Sequence, residues 1–260
     1  MADDQGQVRY EQDGNVVTLI FDRERARNAM TWKMYDELDE ACIRLADDDS
    51  VRAVVLRGAG DRAFIAGTDI SQFAEFETGD DGLAYEARIE SITEKLEQLP
   101  MPTIAVVEGY AVGGGLMIAA VCDLRLCSTS AKFGMPVART LGNCLSMENY
   151  ARLAWNVGVA ATKALVMRAD FMDAQVALEA GFATEVLEPD ALEARADELV
   201  KQLVEQAPLT MWATKESLRR LMFANLPSSS DIVHRVYGSD DFQEGNAAFV
   251  EKRSAQWSGR

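Results

Sequence analysis

Histidine is almost absent from this 260-residue chain: His234 is the only one. That excludes His-rich metal sites, and no metal is expected. A hydrolytic triad would have to use His234 alone, which sits in the helical pattern Ile232-Val233-His234-Arg235-Val236 with no nucleophile elbow anywhere in the chain, so a structural role is expected for it. The four cysteines, Cys42, Cys122, Cys127 and Cys144, form no C-x-x-C pair. Reduced thiols in a core fit that spacing better than a metal or disulfide framework. Cations are scarce as well: 26 Lys and Arg stand against 42 Asp and Glu, a net charge of -16. So acidic a chain lacks the basic surface that nucleic-acid phosphates require, and no nucleic-acid partner is expected. No apolar run reaches membrane-spanning length, and Met1-Ala2-Asp3-Asp4-Gln5-Gly6 has neither the basic nor the apolar region of a signal peptide. No membrane partner is therefore expected, and a cytoplasmic protein is. A nucleotide phosphate site is a weak reading, because there is no G-K-S/T and no G-x-G-x-x-G after the first strand.

What the chain does have is enough apolar residue, 48%, to bury a substantial core in one large domain or two small ones. Val8 to Gln12 and Val16 to Phe21 flank Asp13-Gly14-Asn15 and read as a hairpin. Thr31 is a plausible N-cap for a helix whose apolar face is Met34, Leu38, Ala41, Cys42 and Leu45. Val51 to Arg57 and Ile104 to Val107 read as central strands, with an acidic helix over Leu83 to Leu99 between them. Such alternation predicts an α/β fold with a largely parallel sheet, whose ligands bind beyond the carboxyl ends of the strands. Ser71 to Gly82, polar and glycine-bearing, reads as a mobile loop over the pocket. Beyond Asn149 helices are expected over Ala151 to Val157, Ala161 to Met167, Asp173 to Ala180, Asp190 to Gln206 and Leu209 to Phe223, with one short strand from Ala183 to Leu187. Helices that cannot bury all their apolar faces on one another suggest subunit contacts.

Two glycine segments carry the chemistry. Glu108-Gly109-Tyr110-Ala111-Val112-Gly113-Gly114-Gly115-Leu116-Met117 follows Ile104-Ala105-Val106-Val107 and reads as strand, tight turn and buried helix. The first turn of a helix has amide N–H groups without intrahelical partners and the positive end of the dipole, so this turn suits negative charge. Ala63-Phe64-Ile65-Ala66-Gly67-Thr68-Asp69-Ile70 likewise follows an apolar run and reaches a glycine.

Together they resemble the paired signatures F-x-A-G-x-D-I and G-Y-A-x-G-G-G of the crotonase superfamily, the enoyl-CoA hydratase/isomerase group. The resemblance runs from about Val8 to Trp257. It implies a crotonase-like ββα spiral core over residues 1–190 and a helical C-terminal trimerisation region over residues 191–260. It also implies a homotrimer or a hexamer made of two trimers, and lyase or isomerase chemistry on an acyl-CoA, with coenzyme A present as part of the substrate thioester and no separate cofactor. The amides of Thr68 and Gly114 would be the two donors to the thioester oxygen. Negative charge develops there when an adjacent proton is removed, and two preorganised donors in a water-poor pocket stabilise the enolate.

Other segments extend the likeness. Phe21-Asp22-Arg23-Glu24-Arg25-Ala26-Arg27-Asn28-Ala29-Met30 resembles the family's N-R-P-x-x-x-N-A-M/L, with Glu24 in place of proline. It implies that Arg23, Arg25 and Arg27, with Ala29, supply a basic island for the nucleotide of coenzyme A; surface arginines balancing nearby acids are the plain alternative. Ala66, Gly67, Asp69, Ile70, Tyr110, Met117 and Val137 are expected at the substrate by the same resemblance. Cys122-Asp123-Leu124-Arg125 and Phe133-Gly134-Met135-Pro136 match the strands that follow. Near the end, Glu244-Gly245-Asn246-Ala247-Ala248-Phe249-Val250-Glu251-Lys252-Arg253 resembles the terminal helix, in which Phe249 and Lys252 would reach a neighbouring subunit's coenzyme A.

The resemblance breaks at the acid/base pair. Hydratases of the family carry glutamate at the positions held here by Met117 and Val137, and neither side chain exchanges a proton. Two-glutamate hydration is therefore not expected. Arg139, Asn143, Cys144 and Glu148, in the stretch that departs most from the hydratase pattern, are the candidates for a rebuilt site. Glu148 is the first choice, with Ser146 as a helix cap and Glu148 in the first helical turn as its structural alternative. An inward Arg139 would bind a carboxylate on the acyl group, while Cys144 lacks any activating neighbour and reads as a buried thiol. Isomerisation, decarboxylation, thioester hydrolysis and C–C bond chemistry stay open, as does a catalytically inactive acyl-CoA-binding or scaffold protein of the same fold.

Overall fold

The computed structural model describes residues 5–260. Strands β1 (Gln7–Asp13) and β2 (Val16–Asp22) pair antiparallel in a register that sets Asp13 opposite Val16 across a two-residue turn. The Thr31 hydroxyl accepts from Met34 N and starts α1 (Trp32–Ala46), which buries the predicted face plus Tyr35. The next strands are β3 (Ala53–Gly58) and β4 (Ala63–Ile65), the latter wholly buried.

From here the structure corrects one expectation. Instead of a loop reaching Gly82, residues Ile70–Phe73 form a short 3-10 turn and α2 (Gly79–Glu97) begins at Gly79. Thr78 and Asp81 make a capping box: Asp81 Oδ2 accepts from Thr78 N at 2.8 Å and from its hydroxyl at 2.9 Å. The glycines there serve packing, since a Cβ on Gly82 would sit 2.2 Å from the Tyr237 ring.

β5 (Thr103–Val107) is buried throughout and β6 (Tyr110–Val112) leads into α3 (Gly114–Val121), whose residues are buried from Gly115 on. β7 (Leu124–Ser128), β8 (Lys132–Gly134) and α4 (Val137–Thr140) follow. The buried Arg125 donates to Cys122 O at 2.6 Å and Ala119 O at 3.2 Å, covering the carbonyl end of α3. α5 (Met147–Met167) joins two predicted helices, with a break at Gly158 where the backbone leaves helical angles. Then come β9 (Phe171–Asp173), α6 (Ala174–Glu179), β10 (Glu185–Leu187), α7 (Pro189–Val204), α8 (Pro208–Met222), α9 (Ser230–Tyr237) and α10 (Asp240–Val250).

Two sheets result. The larger runs β1-β2-β3-β5-β7-β10 and is parallel apart from the first hairpin; the smaller runs β4-β6-β8-β9, parallel except between β8 and β9. One core lies between the sheets, α1 and α3, and a second packs Leu192, Ala196 and Leu199 of α7 on the outer face of the large sheet. A third cluster joins Phe73, Leu141 and Cys144 to Val233, Tyr237 and Phe242, so α9 and α10 close over the region beside α2. His234 is more than half exposed on α9, with Nε2 3.5 Å from Asp80, and all four cysteines are free and buried. Among the described residues no helix is long and apolar enough to cross a membrane, and no cluster of residues could hold a metal ion.

Candidate active site

β4 and β6 are neighbouring parallel strands, so their carboxyl ends deliver the two glycine segments side by side. Gly113 caps α3 at φ +54, and Gly115 lies so close to β4 that a Cβ would meet Ile65 O at 2.1 Å. Bonds from Met30 N to Gly67 O (2.8 Å) and from Asp69 N to Met30 O (2.9 Å) bracket Thr68. Among the described residues neither the Thr68 amide nor that of Gly114, the first residue of α3, donates to a backbone carbonyl. Both residues line one cavity of about 260 Å3.

The rest of that cavity is mostly apolar, with Tyr85, Glu86, Thr140, Asn143, Cys144 and Asn149 as its polar lining. Ile70, Phe73, Ile89, Met117, Met135, Val137, Leu141 and Leu145 contribute hydrocarbon or thioether surface, and the side chain of Glu86 enters from α2. Glu86 is 8% exposed. Its Oε1 accepts from the Tyr237 hydroxyl at 2.6 Å and its Oε2 from Ser146 N at 3.1 Å. Burial pushes its carboxyl up to about 7; the two hydrogen bonds pull it down, while the charges of Glu90 and Glu148 add a smaller upward push. A carboxyl that both holds and releases a proton near neutrality, beside a site built for negative oxygen, has the properties of a general acid/base.

Sequence reasoning passed over Glu86 because it sits in an acidic helix. The signal was its register: Gly82, Glu86, Ile89, Thr93 and Leu96 are all buried, a 4-3-4-3 stripe in which Glu86 is the one charge.

Glu148 is elsewhere. It occupies the first turn of α5, with Ser146 Oγ accepting from Asn149 N as the cap, and lines a separate cleft with Glu90, Glu94, Arg152 and Arg219. Its structural alternative is the one the geometry matches, because Glu148 stands in the first turn of α5 and does not line the cavity of the glycine turns. Arg139 is exposed on α4, so it does not point into the cavity as expected. Cys144 does line the cavity, but burial pushes its thiol up to about 12, which leaves it protonated and unsuited to attack. Asn143 also lines it and donates to the Tyr237 hydroxyl at 3.2 Å.

Of the residues expected at the substrate, Ala66, Gly67, Ile70, Met117 and Val137 line the cavity, and Phe249, about half exposed, stands at its edge in the same chain. Arg23, Ala29 and Asp69 lie outside that lining and are joined to one another: Arg23 Nη1 pairs with Asp69 Oδ2 at 2.7 Å and donates to Ala29 O at 3.2 Å. Arg25 and Arg27 are exposed on that loop, with the Arg27 guanidinium 5.6 Å from the centre of the Tyr110 ring. Lys252 is exposed beyond the end of α10.

Two stacked sheets with paired glycine turns over an apolar cavity are the architecture of the crotonase fold. The family model for enoyl-CoA hydratase/isomerase matches residues 11–260, and the chain belongs to that family. It is 32% identical over 253 residues to the short-chain-enoyl-CoA hydratase of Clostridium acetobutylicum, covering 96% of each chain. It is 35% identical over 255 residues to the carnitinyl-CoA dehydratase of Proteus mirabilis, covering 95% of this chain and 96% of the relative. Among solved structures, methylmalonyl-CoA decarboxylase in complex with 2-nitronate-propionyl-CoA superimposes with a TM-score of 0.88 at 30% identity, over 97% of this chain and 98% of that one.

Proposed function

We propose that the protein is an enzyme that binds an acyl-CoA, holds the thioester oxygen with the Thr68 and Gly114 amides, and moves protons with Glu86. The observation that carries this reading is one buried carboxyl, poised near 7, in the same cavity as the two glycine turns. Removal of the proton next to the thioester gives an enolate that the two amides stabilise. Glu86 takes that proton, exchanges it with solvent, and returns one to the same carbon or to one further along the acyl chain. Because Met117 and Val137 stand where the resembled hydratases have glutamate, no second carboxyl is at hand in the cavity to activate water. Isomerisation by a single proton carrier therefore fits the site better than hydration.

Arg25 and Arg27, exposed on the first loop, take the phosphates of coenzyme A in this reading, with Lys252 as a further cation, and no other cofactor is needed. Exposed Trp155, Val159, Met167 and Phe171 on one side and Leu209, Trp212 and Leu221 of α8 on another support burial between subunits in a trimer or hexamer. The protein would act in the cytoplasm.

The test is isotope exchange. Incubation with butyryl-CoA in deuterium oxide should wash deuterium into the α-carbon, read by mass spectrometry, and Glu86→Gln should stop it. Binding of butyryl-CoA without any exchange by the unaltered protein would give the case to the inactive scaffold instead.

A further inference from the structure

The hydroxyls of Tyr35, Thr68 and Tyr85 form a row beside the glycine turns. Tyr35 Oη lies 2.8 Å from Thr68 Oγ1, and Tyr85 Oη lies 3.0 Å from the same Thr68 Oγ1 on its other side. Three hydroxyls carry three protons, and the two contacts between them use two. One proton is left over whichever way the row is oriented. If both tyrosines donate to Thr68, the spare proton is on Thr68; if Tyr35 donates to Thr68 and Thr68 to Tyr85, it is on Tyr85; if Tyr85 donates to Thr68 and Thr68 to Tyr35, it is on Tyr35. Thr68 and Tyr85 line the cavity and Tyr35 does not, so two of the three orientations offer the proton to a ligand.

The row also sits at the other turn. A Cβ on Gly114 would lie 2.7 Å from Tyr35 Oη and 3.5 Å from Thr68 Oγ1, so the start of α3 is in contact with the row and a side chain there would displace the Tyr35 hydroxyl. Neither tyrosine is acidic enough to ionise: burial pushes Tyr35 up to about 12 and Tyr85 well above its ordinary value. The row thus keeps its full complement of protons at neutral pH.

We infer that this row is a third donor to the oxygen held by the two amides, delivering its spare proton from Thr68 or Tyr85 as a hydrogen bond when the thioester turns anionic. An uncharged thioester oxygen draws this proton weakly and an enolate oxygen strongly, because hydrogen bonds to charged acceptors are worth about twice those to neutral ones. The contribution therefore appears where charge develops, which is the condition for lowering a barrier. The inference rests on the acyl-CoA reading given above.

Acetoacetyl-CoA tests it, because its enolate has its own near-ultraviolet absorbance and needs no turnover to be seen. Bound to the native protein, it should ionise at lower pH than in water. The double variant Thr68→Val/Tyr85→Phe keeps both amides and removes both cavity hydroxyls. It should still bind, with the enolate fraction at fixed pH reduced about ten- to a hundredfold. Tyr35→Phe should change that fraction by no more than about twofold. A double variant that binds and keeps the native enolate fraction overturns the third donor. Should the double variant fail to fold, the single variants are read in the same way, and a native fraction in both overturns it equally. Absence of any acetoacetyl-CoA binding by the native protein is a different failure, since it removes the acyl-CoA reading itself.

Discussion

The Tyr237 hydroxyl, near the C-terminal end of the chain on α9, donates to Glu86 Oε1 on α2 across 2.6 Å. Asn143 Nδ2 in turn donates to Tyr237, so the acid/base is held from the α4–α5 connection as well as from α9. The contact stabilises the ionised carboxylate against the burial that raises its pKa to about 7.

Tyr237→Phe should therefore move Glu86 upward. A general base works ionised, so the acid limb of the kcat/KM profile, which reports the free enzyme, should shift alkaline by about one pH unit. An acid limb that stays in place in Tyr237→Phe would detach α9 from the chemistry.

Glu86 and Glu148 should part clearly under substitution. Glu86→Gln removes the proton carrier and should lower turnover about a hundred- to ten-thousandfold. Glu148 lies outside the cavity and acts on Glu86 only through its charge, which pushes Glu86 up. Glu148→Gln should keep turnover and shift the acid limb slightly toward lower pH. Loss of activity in Glu148→Gln alone would restore it as the reacting group.

Stability should carry the same signature. Glu86 titrates near 7 when folded and near 4.5 when unfolded. Between those values the folded protein keeps a proton that the unfolded chain has lost, so stability present below about 4.5 declines as pH rises through about 7. The difference between native protein and Glu86→Gln, measured by urea denaturation at several pH values, should change by about 3 kcal/mol across that window. A pH-independent difference would mean that Glu86 titrates normally.

Much of this was legible in the sequence. The two glycine segments, the Thr31 cap and the order of buried strands follow from local patterns that the tertiary structure reinforces. The departures come from contacts between segments distant in sequence. Gly79 and Gly82 signalled a loop because glycine disfavours helix, yet they let α9 pack on α2. The ion pair of Arg23 with Asp69, 46 residues away, is likewise invisible in the local pattern. Glu86 was hidden because an acidic helix draws attention to its solvated face, and its burial depends on Tyr237, 151 residues on.

Arg152 offers the strongest stability prediction, because its side chain is 1% exposed and holds the far end of α2. Its guanidinium reaches Glu90 Oε1 at 2.6 Å, Glu97 Oε2 at 2.9 Å and Asn149 Oδ1 at 3.1 Å, and lies 5.0 Å from the centre of the Phe223 ring. Burial raises the Glu97 carboxyl even with Arg152 beside it. Arg152→Met would leave the Glu90 and Glu97 carboxylates without this cation, and should cost about 3–5 kcal/mol in urea denaturation. Adding Glu90→Gln and Glu97→Gln to Arg152→Met should recover most of that loss, since no unpaired charge then remains. If the triple variant is as unstable as Arg152→Met alone, the cost lies in lost packing against Phe223 and not in the stranded carboxylates.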